Sequence, residues 1–423
     1  MEYLKKTLGN GARLIFTSMP SAQSVGINVF VGTGSRNETE KNNGLSHFLE
    51  HMVFKGTKSF PSSKIISEEI EGVGGVLNGY TSESVTNYWC KVLPQHFGKV
   101  FAVVSGLVTE ALVREEEIEN ERGVILEEIN RKEDNPQDKI FENINQITFP
   151  GHPLGWSTLG RGEVIKSLSQ KDFLDYREKY YVALNIVVSV AGNIGQDLVF
   201  SKFEEIFGNL RVGAGKKLNP FKYQQEEPEI FLESKKTEQA YFCLSLRGLS
   251  LGDPDRYKLF LLNSVLGQGM SSRLFLNIRE KGLAYFVGSS PDLMVDTGAL
   301  LVYAGFNVGR IEEALKAVLA ELKRLKDEVV VGDEFYKGVE KQKGPMLFQL
   351  EDPVELAEWY GKQEVLKGEI ETEEDFIKNL EAVTAAQVQN LAKSFLNPKN
   401  LSLAIIGPYS KAQEDEFKKL LKI

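Results

Sequence analysis

The stretch SLSQKDFLDYREKYYVALNIVVSVAGNI (residues 167–194) has the pattern of a helix followed by a buried strand that ends at a glycine turn. A second stretch, AVTAAQVQNLAKSFLNPKNLSLAIIGPY (382–409), repeats this order. Asn185 and Asn400 lie 215 positions apart, and the glycines that end the two strands have the same spacing, about half of the 423-residue chain. Any two helix–strand units resemble each other to some degree, but similarity at half the chain length favours an internal duplication.

The segment between the two copies, VGAGKKLNPFKYQQEEPE (212–229), is rich in glycine, proline and charge, as linkers often are. We therefore predict a first domain over residues 1–213, a linker over 214–228 and a second domain over 229–423. Both domains are expected to be α+β, with a mostly antiparallel sheet packed against helices.

Composition and charge exclude several classes of protein. Apolar residues make up 42% of the chain and charged residues 26%, which is typical of soluble globular proteins. The net charge of −9, without a run of basic residues, argues against a nucleic-acid partner. No apolar run reaches the roughly 18 residues needed to cross a membrane, and the N-terminus lacks a signal-peptide pattern. With only two cysteines, Cys90 and Cys243, a reducing, cytoplasmic location is expected.

The segment GLSHFLEHMVFKG (44–56) contains two of the four histidines, four residues apart, with a glutamate directly before the second. The pattern is helical, so His47 and His51 would project from one face, one turn apart. Two imidazoles in this arrangement can bind one Zn²⁺, and Glu50 borders the same face. The alternative, an apolar core helix, would have to bury three polar groups at a cost.

The corresponding helix of the second copy lacks these groups. The positions 215 residues beyond the two histidines are Leu262 and Leu266. Only the first domain is therefore expected to bind zinc.

A catalytic zinc needs a third protein ligand and an open position. The segment REEEIENERGVILEEINRKED (114–134) has the pattern of a charged amphipathic helix, and Glu128 within it is the preferred candidate. Glu121, two turns earlier on the same face, could hydrogen-bond a ligand imidazole. From spacing alone Glu127 competes with Glu128, and such glutamates are often only a solvated helix face.

The order HFLEH, followed by FKGT and ERGVILEEI, resembles the pitrilysin-type inverzincin metallopeptidases. The resemblance is to their half-length group, which includes bacterial processing-type proteases and mitochondrial processing peptidase. It extends over nearly the whole chain through further segments: GTGSRNE (32–38), GGVLNGYTS (74–82), HPLG (152–155), GMSSRLF (269–275) and REKGLAY (279–285).

The resemblance implies one zinc ion per subunit, bound by His47, His51 and Glu128. It also implies that Glu50 is the catalytic base and that Glu121 supports the site. The resemblance thereby favours Glu128 over Glu127 as the third ligand.

The resemblance further implies that Arg279 and Tyr285 stabilise the transition state. Because the chain is half-length, it implies a dimer, identical or with a homologous subunit, in which these residues of one subunit face the zinc of the other. The family pattern has one more residue between the arginine and the tyrosine. The alternative is a plain helix end, with Gly282 as its stop and Tyr285 packed on the next strand.

The segment VLNGYTS is the predicted substrate strand. An extended peptide could pair with its backbone, with Asn78 and Gly79 as the contact residues. Glu83 stands one position before the place where the family has an acidic residue, and its role stays open.

The leading hypothesis is a zinc endopeptidase that cleaves short or unfolded peptides inside a dimeric chamber. One alternative is a non-catalytic scaffold or partner subunit of a processing-peptidase-like complex. A structural zinc protein is disfavoured, because it would need a fourth ligand and Cys90 has no second cysteine nearby.

Overall fold

The computed structural model describes residues 2–215 and 218–422. Lys216 and Lys217, in the predicted linker, lie outside the described residues. Eleven strands run through the described part of the chain: β1 (Leu4–Thr7), β2 (Arg13–Ser18), β3 (Val25–Val31), β4 (Val76–Thr81), β5 (Thr86–Val92), β6 (Ile186–Gly192), β7 (Glu229–Ser234), β8 (Gln239–Arg247), β9 (Phe286–Leu293), β10 (Gly298–Asn307) and β11 (Leu401–Gly407).

Fifteen α-helices accompany these strands in the same described ranges: α1 (Leu45–Val53), α2 (Ser63–Glu71), α3 (Phe97–Thr109), α4 (Glu115–Asp134), α5 (Pro136–Thr148), α6 (Gly162–Ser167), α7 (Gln170–Tyr180), α8 (Gln196–Phe207), α9 (Arg256–Leu266), α10 (Ile311–Asp327), α11 (Asp333–Gln349), α12 (Pro353–Lys367), α13 (Glu373–Glu381), α14 (Ala385–Phe395) and α15 (Glu414–Leu420). None of them is both long enough and apolar enough to cross a membrane.

The chain forms two compact units, and each takes in segments from both halves of the sequence. The first unit contains the residues up to Asn130, Trp156–Asn219 and Leu347–Glu374; the second contains Arg131–Gly155, Pro220–Met346 and the residues from Asp375 onward. The division of the sequence into 1–213, a linker over 214–228 and 229–423 stays a prediction.

The sheet of the first unit has the strand order β1-β2-β6-β3-β5-β4. Every neighbouring pair is antiparallel except β2 and β6. Strands β3 and β6 are buried along their whole length, because helices cover both faces. Helix α12 packs against these two strands. The close approach depends on Gly361, where a Cβ would lie 2.3 Å from the ring of Phe30.

The sheet of the second unit has the order β7-β11-β8-β10-β9, with one parallel pair, β7 and β11. Helix α5, from the first half of the chain, packs on β8 and β11. Its residues Ile140 and Ile144 share a core with Cys243 and Ala404.

The predicted α+β class, with two mostly antiparallel sheets packed against helices, is confirmed. The stretches that indicated duplication form α7 with β6 and α14 with β11. Leu262 and Leu266 are fully buried in α9, so the second copy packs with leucine where the first carries histidine.

Candidate metal centre

Helix α1 has one apolar face and one polar face. The apolar face is fully buried in the core of the first unit and consists of Phe48, Leu49, Met52 and Val53. Phe48 packs edge-on against the ring of Phe173, with ring centroids 4.9 Å apart. This packing leaves His47, Glu50 and His51 on the remaining face, as their spacing predicts.

Helix α4 brings a carboxylate to the two imidazoles. The Nε2 atoms of His47 and His51 each lie 3.8 Å from Oε2 of Glu128. One ligand atom from each of the three residues lies within 4.8 Å of the other two. Their side chains are 13%, 20% and 26% exposed, so the cluster opens to solvent. The neighbouring Glu127 is exposed.

Glu121 holds the second imidazole in one orientation. Its Oε1 lies 2.8 Å from Nδ1 of His51, and its other oxygen pairs with the ammonium group of Lys55. A carboxylate at Nδ1 favours the tautomer in which Nε2 is unprotonated and turned toward Glu128. Glu121 thus lies within hydrogen-bond distance of His51, and its supporting role stays a prediction.

Glu50 is hydrogen-bonded to a strand and is not one of the three clustered side chains. The hydroxyl of Thr81, at the end of β4, donates a hydrogen bond of 2.7 Å to Oε2 of Glu50. Glu50 is only 7% exposed. Burial raises the pKa of its carboxyl group, and the bond from Thr81 and the nearby His51 lower it in part.

The electrostatics of the cluster suit a cation. Burial lowers the pKa of His51, but the carboxylates of Glu121, Glu128 and Glu50 together raise it above its ordinary value. Burial raises the pKa of Glu121, but its bonds to His51 and Lys55 lower it further than burial raises it. The two imidazoles thus lie in a field of negative charge.

The donor set fits a zinc ion. Imidazole nitrogen and carboxylate oxygen are common zinc ligands, and three protein ligands leave one open position. Two atoms bound to one tetrahedral zinc at about 2.1 Å lie about 3.4 Å apart. The observed separations of 3.8 Å are therefore within a few tenths of an ångström of that arrangement.

Strand β4 forms an open edge of the first sheet beside this cluster. At the hairpin turn the amide of Ser82 donates to the carbonyl of Val85. Backbone groups in an edge strand point alternately toward the neighbouring strand and away from it, so those of Leu77, Gly79 and Thr81 point to the open edge. The amide of Gly79 donates to Oδ1 of Asn78 at 2.8 Å. Both predicted substrate residues thus lie at the edge. Glu83 lies in the turn.

Arg279 and Tyr285 belong to the second unit. Arg279 ends a short π-helical segment, Phe275–Arg279, and pairs with Glu280 at 2.7 Å. Tyr285 is 41% exposed, and its hydroxyl accepts a hydrogen bond of 3.0 Å from Gln137. Gly282, with φ of 67°, lies in the turn that follows this segment, and the catalytic role of Arg279 and Tyr285 stays a prediction.

Two residues that contact the site were not expected from the sequence: Thr81 and Lys55. Thr81 and Lys55 lie inside the segments VLNGYTS and FKGT, but their contacts are long-range. A signal for Glu128 was present in α4, where Ile118, Glu121 and Ile125 are its buried residues. Glu128 continues that three-and-four spacing, whereas Glu127 does not.

Residues 13–162 match the family Insulinase (Peptidase family M16), and residues 167–340 match the Peptidase M16 inactive domain. An uncharacterized zinc protease of Bacillus subtilis strain 168 is 36% identical over 403 residues, with 95% of this chain and 97% of that protein covered. One of Streptomyces coelicolor is 33% identical over 416 residues, with coverage of 97% and 90%.

Among solved structures, a protease from Helicobacter pylori matches with a TM-score of 0.91 at 23% identity, with 96% of this chain and 99% of that chain covered. At that identity the likeness concerns the fold alone. The named relatives support a metallopeptidase with a zinc cofactor, and the resemblance to the pitrilysin-type enzymes is confirmed. From the two family matches and the two relatives it follows that this chain belongs to the insulinase family of peptidases, family M16.

Proposed function

We propose that this chain is a zinc-dependent endopeptidase that hydrolyses short or unfolded peptides, with Glu50 as its catalytic base. The observation that carries the proposal is that the polar residues of helix α1 have two different surroundings. His47 and His51 lie with Glu128 in a cluster that fits zinc, whereas Glu50 is held by Thr81 at 2.7 Å. These different surroundings support Glu128 as a ligand of the ion and Glu50 as the group that transfers the proton.

A zinc ion in this cluster would polarise the scissile carbonyl and make water a stronger acid. Glu50 takes a proton from the attacking water and passes it to the departing amine as the C–N bond breaks. Its raised pKa suits both steps, because a carboxyl group with a pKa closer to neutral accepts and returns a proton more readily. Glu121 keeps the His51 ring oriented throughout.

The peptide is proposed to pair with the open edge of β4. The outward backbone groups of Leu77, Gly79 and Thr81 would supply the hydrogen-bond pattern that an added strand requires, once the amide of Gly79 exchanges its bond to the Asn78 side chain for the peptide. Such pairing needs an extended backbone, so flexible peptides are preferred over folded proteins. Thr81 would join the substrate strand to the catalytic base, because its backbone faces the edge and its hydroxyl bonds Glu50.

The assembly is proposed to be a dimer that encloses the site, with an identical or homologous partner and one zinc per subunit. The partner subunit's Tyr285 and the partner subunit's Arg279 would stabilise the developing oxyanion. Tyr285 is 41% exposed, which supports a contact between this side chain and another chain. The loss of one such donor costs on the order of a hundredfold in rate.

Glu50→Gln tests the proposal directly. The variant should bind as much zinc as the wild type and hydrolyse a quenched fluorescent peptide library at least about a hundredfold more slowly, because only the base is lost. Glu127→Gln, at an exposed carboxylate nearby, is the matched control and should stay close to wild-type activity. A loss below about tenfold for Glu50→Gln is too small for a general base and would contradict the proposal.

A further inference from the structure

The segment Gly34–Glu38 ends in a buried carboxylate that the proposed reaction does not use. Its first residues follow β3, and Ser35–Asn37 form a single 3-10 turn. Glu38 is 4% exposed. A glutamate at this depth is costly unless its oxygens are hydrogen-bonded, so its partners indicate why it is there.

Among the described residues, Glu38 accepts four hydrogen bonds, from the first turn of α1 and from the two residues that precede the helix. One oxygen accepts from the amide of Gly44 at 2.8 Å and from Nδ2 of Asn43 at 3.0 Å. The other accepts from the amide of Ser46 at 2.8 Å and from its hydroxyl. The N-cap residue Gly44 makes no side-chain cap. Glu38 therefore supplies the hydrogen-bond acceptors that the first amides of the helix need.

The same segment is also bonded to the hairpin turn between β4 and β5. The amide of Ser35 donates to the carbonyl of Ser82 at 3.2 Å, and the amide of Arg36 donates to the carbonyl of Glu83 at 2.8 Å. A Cβ at Gly34 would lie 2.1 Å from the Ser82 carbonyl oxygen, so only glycine allows this approach. The turn follows directly on Thr81.

The segment thus connects two elements that meet at the catalytic base. Its carboxylate end binds the start of α1, which carries Glu50, and its amide end binds the turn beside Thr81. Apolar packing of α1 against the core has little directional preference along the helix axis. Four hydrogen bonds to one carboxylate fix that axial position, because a displacement along the axis would disturb their lengths and angles.

We propose that Glu38 is a positioning residue for the catalytic helix: it holds α1 in register with β4, so that Glu50 meets Thr81 and the two histidines meet Glu128. The proposal rests on the proposed function of the zinc cluster. Glu38 contacts none of the zinc ligands itself and acts through the first turn of α1.

The test compares Glu38→Gln with Glu364→Gln. Glu364 is 1% exposed, lies in α12 of the same unit and pairs with Lys5 at 2.8 Å and with Arg13, so it is a buried carboxylate that holds a different helix. The measurements are Tm, the zinc dissociation constant by competition with a chelator, and kcat and KM on a fluorogenic peptide.

Both variants should lower Tm, but only Glu38→Gln should weaken zinc binding, by about tenfold or more, as outer-shell changes at metal sites do. Its kcat should fall by about tenfold or more while KM changes by less than about threefold, because the base and ligands shift but the edge of β4 does not. Equal Tm losses with unchanged zinc affinity and kcat in Glu38→Gln would overturn the proposal.

Two further measurements keep the test decisive. If Glu38→Gln does not fold, Ser46→Ala removes a single donor and should shift zinc affinity and kcat in the same direction by a smaller factor; no shift overturns the proposal. Amide hydrogen exchange at Gly44 and Ser46 in the zinc-free protein should be faster in Glu38→Gln than in Glu364→Gln. This readout holds even if the wild type proves not to be a peptidase, so the two proposals fail separately.

Discussion

Replacing Thr81 by valine removes one hydroxyl group from the candidate site and leaves a side chain of nearly the same shape. The hydroxyl donates to Oε2 of Glu50 at 2.7 Å, and Glu50 is 7% exposed. Hydrogen bonds to charged groups contribute about 1.5–3 kcal/mol. At about 1.36 kcal/mol per tenfold change in rate, we expect Thr81→Val to lower kcat by about 10- to 150-fold.

The pH dependence of this variant has a defined direction. Burial raises the pKa of Glu50, and the bond from Thr81 lowers it in part. Without that bond the pKa of Glu50 rises further, so its carboxylate becomes protonated at a higher pH. The acidic limb of the kcat/KM profile should therefore move to higher pH in Thr81→Val.

The assay is peptide hydrolysis at saturating zinc, from pH 5 to pH 9, with zinc content measured on the same samples. Thr81→Ser keeps the hydroxyl and should stay within about threefold of the wild type, since it retains the hydrogen bond. The reasoning is refuted if valine and serine variants are equally active, or if the valine variant loses activity only in proportion to lost zinc.

Three other predictions concern the ligands, the assembly and stability. Glu128→Gln should weaken zinc binding in a chelator competition, and Glu127→Gln should not; the opposite result would reverse the ligand assignment. Tyr285→Phe and Glu50→Gln chains, each nearly inactive alone, should regain about a quarter of wild-type activity after they are mixed and exchange subunits. Random exchange makes half of the dimers mixed, and each mixed dimer has one intact site of two. No recovery despite exchange would rule out action between subunits. Burial raises the pKa of Glu38 from 4.5 to about 7, so the stability that this side chain contributes is full below pH 4.5 and falls as pH rises through 7. Urea unfolding of the zinc-free protein should show the stability margin of the wild type over Glu38→Gln narrowing over this range, and a constant margin would contradict the prediction.

The fold was predictable where local patterns repeat. The helix and strand of residues 167–194 and their counterparts in 382–409 carry the same periodicity, so duplication could be inferred. The placement of α5 and α12 could not, because an amphipathic pattern indicates that one helix face is buried but not which sheet buries it. Gly361, which lets α12 approach Phe30, has no local signature of that contact.

The candidate site was also predictable only in part from the sequence. His47, Glu50 and His51 lie on one helix, so their spacing alone placed them together. The sequence alone did not separate Glu128 from Glu127, because packing decides which face of α4 is buried, and only that face shows which of the two glutamates continues it. Thr81 was beyond prediction, since its contact with Glu50 joins positions 31 apart through the pairing of strands and the depth of α1 in the core.

The most direct test of the central claim is a zinc titration of the metal-free protein with hydrolysis followed at each step. Activity should rise in proportion to added zinc and stop rising at one equivalent per chain. Leu262 and Leu266 in α9 offer no ligand for a second site of this kind. Peptide hydrolysis that is undiminished after complete removal of zinc, in protein that remains folded, would contradict the account.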